Sequence, residues 1–327
     1  MAVLGGGAIA SGAISTLPIT FATSTTWACP VAMEAYVFVI GPGGAGAGSE
    51  NSSTARVQGG SAGGCAVSKL SLKAQNYAIV IGEGGQGGDP GGTNDGADGS
   101  AATTFTDSVG SAFTQMVANE GSGGNGASSG ATCAAQTGGT ATGGNLMNNT
   151  GGGVPAITTD GRVTGGGGVG LWGPGADGQV SSAGLWYTGA PGYHWGPARA
   201  GMGGDAHGMS DTVHWFAPAF NLMTTGMETS ARPNSSTDSM RHRNNLSAGS
   251  YWGSHGHSEG TTYAYTNMGT PLSGTGGYFN SMNYAYGGGA SLGGGGGGMM
   301  SSHASATMHT CSGGHGGVII IPISMGS

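Results

Sequence analysis

The stretch Glu34-Ala35-Tyr36-Val37-Phe38-Val39-Ile40-Gly41-Pro42-Gly43-Gly44 decides how the chain is read. In an extended chain Tyr36, Phe38 and Ile40 fall on one side and Val37 and Val39 on the other. Both sides are apolar, as expected of a strand buried on both faces. Three of its last four residues are glycine, which disfavours helix by about 1 kcal/mol per residue relative to alanine. Two more apolar stretches follow the same logic. Residues 67–81 split in two, with Leu70 and Leu72 on one face, a polar turn at 73–76, and Tyr77, Ile79 and Ile81 on one face. That pattern predicts a hairpin. Residues 318–323 form the third stretch, and Pro322 near its end predicts an edge position or the last rung of pairing. Weaker strands are expected at 25–29, 103–106 and 113–118.

Composition sets the class. Glycine supplies 75 of 327 residues and charged residues only 7%, against roughly 7% glycine and about 25% charge in ordinary globular chains. Collagen is excluded, because the glycines keep no strict third-residue period and proline is scarce. Disorder fits poorly with six Trp, ten Tyr, seven Phe and 15 Met, since disordered chains are charge-rich and aromatic-poor. The net charge of −7 is thinly spread, so the basic footprint of nucleic-acid binding is missing. No apolar run approaches the roughly 18 residues of a membrane helix, and residues 1–18 carry no Lys or Arg and do not read as a secretory signal. Cys29, Cys65, Cys133 and Cys311 form neither a zinc nor a Cys-x-x-Cys pattern. Buried reduced thiols are the favoured reading, with two disulfides left open.

Between 119 and 317 the chain is glycine, serine, asparagine and aromatics without clear periodicity, too long for an ordinary loop. Glycine offers another state, a polyproline-II-like helix with three residues per turn and close lateral packing. The isoleucines of 318–323 need apolar surface, and the strand set before residue 120 supplies it. The expectation is an all-β domain at 25–327, a small sandwich-like strand set (26–40, 67–81, 103–118) closed by the C-terminal strand, with long glycine-rich loops. Residues 1–24 read as an attachment segment.

The order of these features resembles the glycine-rich domain of phage tail-fibre and tail-tip proteins. The resemblance rests on Thr26-Trp27-Ala28-Cys29-Pro30, the strand 36–40 entering Gly41-Pro42-Gly43-Gly44, and Leu70-Ser71-Leu72. It continues in Tyr77-Ala78-Ile79-Val80-Ile81-Gly82-Glu83-Gly84-Gly85, in Thr103-Thr104-Phe105, and in the closing Gly316-Gly317-Val318-Ile319-Ile320-Ile321. In style it is also similar to the distal adhesins of T-even-type phages, whose glycine-rich cores pack polyglycine helices beneath exposed loops. The resemblance implies a location in the virion tail, attachment to other tail proteins, trimerisation and host recognition.

Motifs for chemistry are weak. Gly41-Pro42-Gly43-Gly44-Ala45-Gly46 and Gly82-Glu83-Gly84-Gly85-Gln86-Gly87 spell the dinucleotide fingerprint, yet each runs into more glycine where that motif needs a helix. His255 and His257 alternate on an extended chain, so three copies in a trimer would offer six imidazoles to iron or zinc; the plainer reading is two solvent histidines. Arg241-His242-Arg243 reads as a solvated loop or an acidic-sugar contact. A glycosidase needs two carboxylates roughly 5–10 Å apart, which sequence spacing does not reveal, and Asp95, Asp98, Asp205 and Asp211 read as loop acids; no Gly-x-Ser-x-Gly occurs.

The aromatic distribution is the stronger signal. Five of the six Trp fall between residues 172 and 252, and eight of the ten Tyr follow residue 186. Trp172, Trp186, Tyr187, Tyr193, Trp195, Trp215, Tyr251, Trp252, Tyr263 and Tyr265 sit among Gly, Ser, Asn and Thr, a mixture that recognition loops use. They are candidates for contact with a host-surface glycan or outer-membrane protein; packing between glycine layers is the other reading. The chain therefore reads as a non-enzymatic tail protein without a cofactor, an adhesin first. A purely structural tail component, a glycan depolymerase and a glycine-rich ice-binding protein are the alternatives.

Overall fold

The computed structural model describes residues 18–49, 56–87, 93–108, 113, 115–127, 131–158, 161–163, 175, 177, 180–182, 256–259, 263–266, 278–280, 284–286, 293–296, 299–301, 307–309 and 312–325. Among them every regular element is a strand, and the all-β class holds. Two five-stranded antiparallel sheets form a sandwich. The first runs Ile19–Phe21, Gly317–Met325, Met33–Ile40, Cys65–Leu72, Met147–Asn149. The second runs Ala141–Thr142, Met116–Ala118, Thr103–Asp107, Asn76–Val80, Thr25–Ala28.

Period-two patterning builds the core between them. Ala35, Val37, Val39, Leu70, Leu72, Val318 and Ile320 of the first sheet share one cluster with Tyr77, Ile79, Phe105 and Met116 of the second. Each large aliphatic buried this way stabilises by about 1.5–3 kcal/mol. Phe38 and Ile40, on the opposite face of their strand, are buried too, as the doubly apolar sequence predicted. Trp27 packs on Tyr77 at 5.7 Å between ring centroids, and Tyr77, Phe105 and Phe113 stack at 5.3–6.1 Å. The C-terminal strand closes the first sheet in register Ile320↔Val37.

Three local expectations change. Residues 67–81 do not form a hairpin: Cys65–Leu72 and Asn76–Val80 belong to different sheets, so the turn between them crosses the core edge. One buried face per strand is common to both arrangements, so periodicity does not distinguish them. The Tyr77 hydroxyl fixes the crossing, accepting from Lys73 N at 2.8 Å and donating to Lys73 O at 3.3 Å. Ile19–Phe21, assigned by sequence to the attachment segment 1–24, is an edge strand paired with 318–320. The sandwich therefore includes residues ahead of 25. Pro322 lies in a strand flanked on both sides, but past the end of Ile19–Phe21 and at a bulge before Ser324, where a missing donor is tolerated.

The glycines form a second structural unit. Segment 41–47 is wholly buried and hydrogen-bonded in every direction. Gly41, Gly44 and Ala47 donate to the carbonyls of Gly64, Ser61 and Gln58, Gly43 to Gly314, and Ala45 to Ala97. The carbonyls of Pro42 and Ala45 accept from Gly121 and Gly124, that of Gly43 from Gly85, and that of Gly44 from Gly296. Segments 58–64, 82–87, 95–100, 119–125, 293–296 and 312–316 thus surround it. Partners recur every third residue, the repeat of a polyproline-II-type helix, which makes no internal hydrogen bonds and must find partners outside itself. Segments 133–139 and 151–157 pair with the same step: Cys133 with Ile157, Gln136 with Val154, and Gly139 with Gly151.

At the closest approaches only glycine permits this spacing, although Ala45, Ala47, Ser61 and Ala62 are accommodated at other positions. A Cβ on Gly44 would lie 2.1 Å from the Ser122 carbonyl oxygen, and one on Gly60 2.2 Å from that of Gly44. The neighbours are backbone, which has no rotamer to yield. At the rim, short side chains replace the missing chain. Asp98 Oδ1 accepts from Gly123 N at 2.6 Å, Asp95 Oδ1 from Gly126 N at 2.7 Å, and Asp177 Oδ1 from Gly153 N at 2.7 Å. Ser100 Oγ takes Glu83 N at 2.9 Å, and His315 Nδ1 takes Gly84 N at 3.3 Å.

Cys29, Cys65 and Cys133 are buried free thiols; Cys311 lies outside the described residues. Burial pushes the Cys65 thiol up to about 12 from 9.0. The folded state then holds this proton where the unfolded chain has released it, so stability is full below about pH 9 and falls as pH rises toward 12.

Two outcomes are expected. Gly44→Ala should cost about 3 kcal/mol by overpacking, read as a lower thermal midpoint by circular dichroism; an unchanged midpoint contradicts the bundle. Cys65→Ala should flatten the fall in stability between pH 9 and 11 measured by urea titration, whereas a slope identical to wild type means that this thiol is not the cause.

Candidate functional site

The bundle gives the domain two poles. Segments 41–47, 82–87, 119–125 and 151–157 each follow a sandwich strand, and 58–64, 95–100, 133–139 and 312–316 each precede one. Their directions agree with their pairing: 41–47 runs parallel to 119–125 and antiparallel to 58–64. At ~3.1 Å per residue the bundle sets its far ends about 20 Å from the sandwich. There the chain forms short strands. Gly126–Ala127, Arg56–Val57, Gly161–Val163 and Val180–Ser182 make one four-stranded sheet, and Tyr278–Asn280, Met299–Ser301, Gly48–Ser49 and Thr93–Asn94 a second.

A third sheet follows the order Gly256–Glu259, Tyr263–Thr266, Tyr284–Tyr286, Thr307–His309, its first strand lying against Tyr278–Asn280. Its register makes two rows: His257, Tyr265, Tyr286, His309 and Glu259, Tyr263, Tyr284, Thr307. Residues two apart on a strand belong to the same face, so both rows occupy one face. Gly256, Ser258, Ala264, Thr266, Ala285 and Met308 occupy the other. Four tyrosine positions thus form a two-by-two block, flanked in one row by His257 and His309 and in the other by Glu259 and Thr307.

This brings Tyr263 and Tyr265, singled out by sequence, into register with Tyr284 and Tyr286, which were not. The signal was present as Tyr-Ala-Tyr, occurring twice with strand period. Trp172, Trp186, Tyr187, Tyr193, Trp195, Trp215, Tyr251, Trp252 and His255 lie outside the described residues, as do Asp205, Asp211 and Arg241-His242-Arg243. His257 and His309 stand on opposite edge strands, three spacings of ~4.8 Å or about 14 Å apart, too far to share one ion. Among the described residues no group of three metal-ligating side chains occurs.

Asp95 and Asp98, weighed as acids for glycan cleavage, each accept a backbone amide at the bundle rim. The two dinucleotide-like stretches, 41–46 and 82–87, are bundle segments hydrogen-bonded through their backbones. No described helix is long and apolar enough to cross a membrane.

Fold and site together define a β-sandwich domain prolonged by a polyglycine bundle that presents a second set of small sheets. Residues 19–321 match the family described as "Glycine-rich domain". The chain belongs to this glycine-rich domain family. No curated protein matches it.

Asp98→Ala should cost about 1 kcal/mol in urea unfolding by stranding the Gly123 amide, and Asp98→Asn, which keeps an acceptor, much less. Equal losses for both would mean that the carboxylate does not hold the rim.

Proposed function

We propose that this protein is a virion component of a phage tail, at a fibre or tip, and that it adheres to the host surface without covalent chemistry. One observation carries the reading: the chain enters and leaves its aromatic-rich part among the small strands at the far end of the bundle, whereas Ile19–Phe21 and Gly317–Met325 pair in the sandwich. Attachment at one pole and contact at the other is the arrangement an adhesin needs. Segments ahead of Ile19 then join other tail proteins, and a homotrimer sets three tips side by side. Tyr and Trp offer large contact area at low entropic cost, and their ring faces suit a host-surface glycan or a loop of an outer-membrane protein. Tyr263, Tyr265, Tyr284 and Tyr286 join Trp172, Trp186, Tyr187, Tyr193, Trp195, Trp215, Tyr251 and Trp252 as contact candidates. In the trimer His255 and His257 of three copies are the candidate ligands for iron or zinc.

Binding of fluorescently labelled protein to candidate host cells tests the proposal. Trp195→Ala and the pair Tyr263→Ala/Tyr284→Ala should each lower binding at least about tenfold, as loss of aromatic anchors does, with the melting temperature unchanged. Full binding by both variants would rule these aromatics out as the contact, and a wild-type protein that does not bind would leave a purely structural tail component. Release of reducing ends from host polysaccharide would make it a depolymerase.

A further inference from the structure

We infer that Arg56 and Gln58 are positioning residues that brace the small-strand pole onto the glycine bundle and so hold the root of the aromatic segment in place; this rests on the adhesive reading only for its effect on binding. Gln58 is fully buried, and its side chain serves three segments at once. Its Nε2 donates to Ala134 O and Pro155 O, each at 2.8 Å, and its Oε1 accepts from Asn125 N at 3.2 Å. Its backbone amide also donates to Asn125 O, and its carbonyl accepts from Ala47 N. A glycine bundle has few side chains with which to lock one chain against another, and this amide does so at the level where 119–125, 133–139 and 151–157 leave the lattice.

Arg56, two residues nearer the pole, is buried to 7% exposure. Its Nη1 donates to Ala131 O at 2.5 Å, and its backbone pairs with Ala127 on one side and Gly161 on the other. Cys133 Sγ lies 3.8 Å from the Arg56 carbonyl and 3.6 Å from that of Asn125, filling the space between. Gly161–Val163 pairs in turn with Val180–Ser182. These two strands flank Trp172, and the chain beyond them leads to Trp186. A guanidinium and an amide thus fasten the strands that begin the aromatic segment to chains whose other ends are sandwich strands. Backbone pairing alone would hold this sheet by two- and three-residue strands, which are marginal by themselves.

Hydrogen exchange by mass spectrometry, read beside cell binding, tests the brace. Gln58→Met removes the amide at similar volume, and Arg56→Lys keeps the charge while losing the planar fork. Each should speed exchange about tenfold or more at 126–134, 161–163 and 180–182 while 33–40, 65–72 and 317–325 keep wild-type rates, the mark of local rather than global opening. Cell binding should fall through faster dissociation. A uniform rise that includes the sandwich strands, or no change at the pole, overturns the inference. Wild-type protein that does not bind cells would count against the adhesive reading, and the exchange pattern would still decide the brace.

Discussion

Everything in this domain depends on how closely glycine backbones approach one another. A three-residue-per-turn helix turns its amides and carbonyls outward and satisfies none of them itself. Buried, each group must meet a partner on a neighbouring chain, or the segment loses the desolvation cost of its peptide groups. Segment 41–47 meets that demand through six neighbours, and the carbonyl oxygens that would collide with a Cβ at Gly43, Gly44 or Gly60 fix the spacing. Glycine loses more entropy on ordering than any other residue, so such a bundle needs help. The sandwich provides it: strands on a well-packed aromatic and aliphatic core register the glycine chains that continue from them.

That coupling explains the division of labour along the chain. Side chains do the work in the sandwich, backbones in the bundle, and a few polar side chains where the bundle ends. Asp95, Asp98, Ser100 and His315 each supply a single acceptor to a backbone amide at the rim. Gln58 and Arg56 do the equivalent inside, toward the small strands. A rigid spacer built of backbone leaves sequence at the far pole free of the packing rules that govern the sandwich.

Much of the sandwich was legible because period-two patterning records burial directly: 34–40, Leu70 and Leu72, Tyr77 and Ile79, and 318–323 all take core or strand positions that their side chains announce. The crossing between 65–72 and 76–80 was not legible, since a strand with one buried face reads alike in a hairpin and in an arch. The glycine helices were foreseen for the long middle region. Those at 41–47, 58–64, 82–87 and 95–100 were not, because a helix without side chains leaves no hydrophobic period. The three-residue step shows instead in the backbone pairing, Cys133 with Ile157, Gln136 with Val154 and Gly139 with Gly151. For the site, Tyr263 and Tyr265 were found by composition, whereas the four-tyrosine block needed strand register.

The glycine segments are ordered structure and not flexible linker. Amide exchange of 41–47 in the folded protein tests this most directly. Protection should equal that of the adjoining strand Met33–Ile40, because these amides open only when the sandwich does. Exchange of 41–47 at the rate of a free glycine peptide, with Met33–Ile40 still protected, would contradict it.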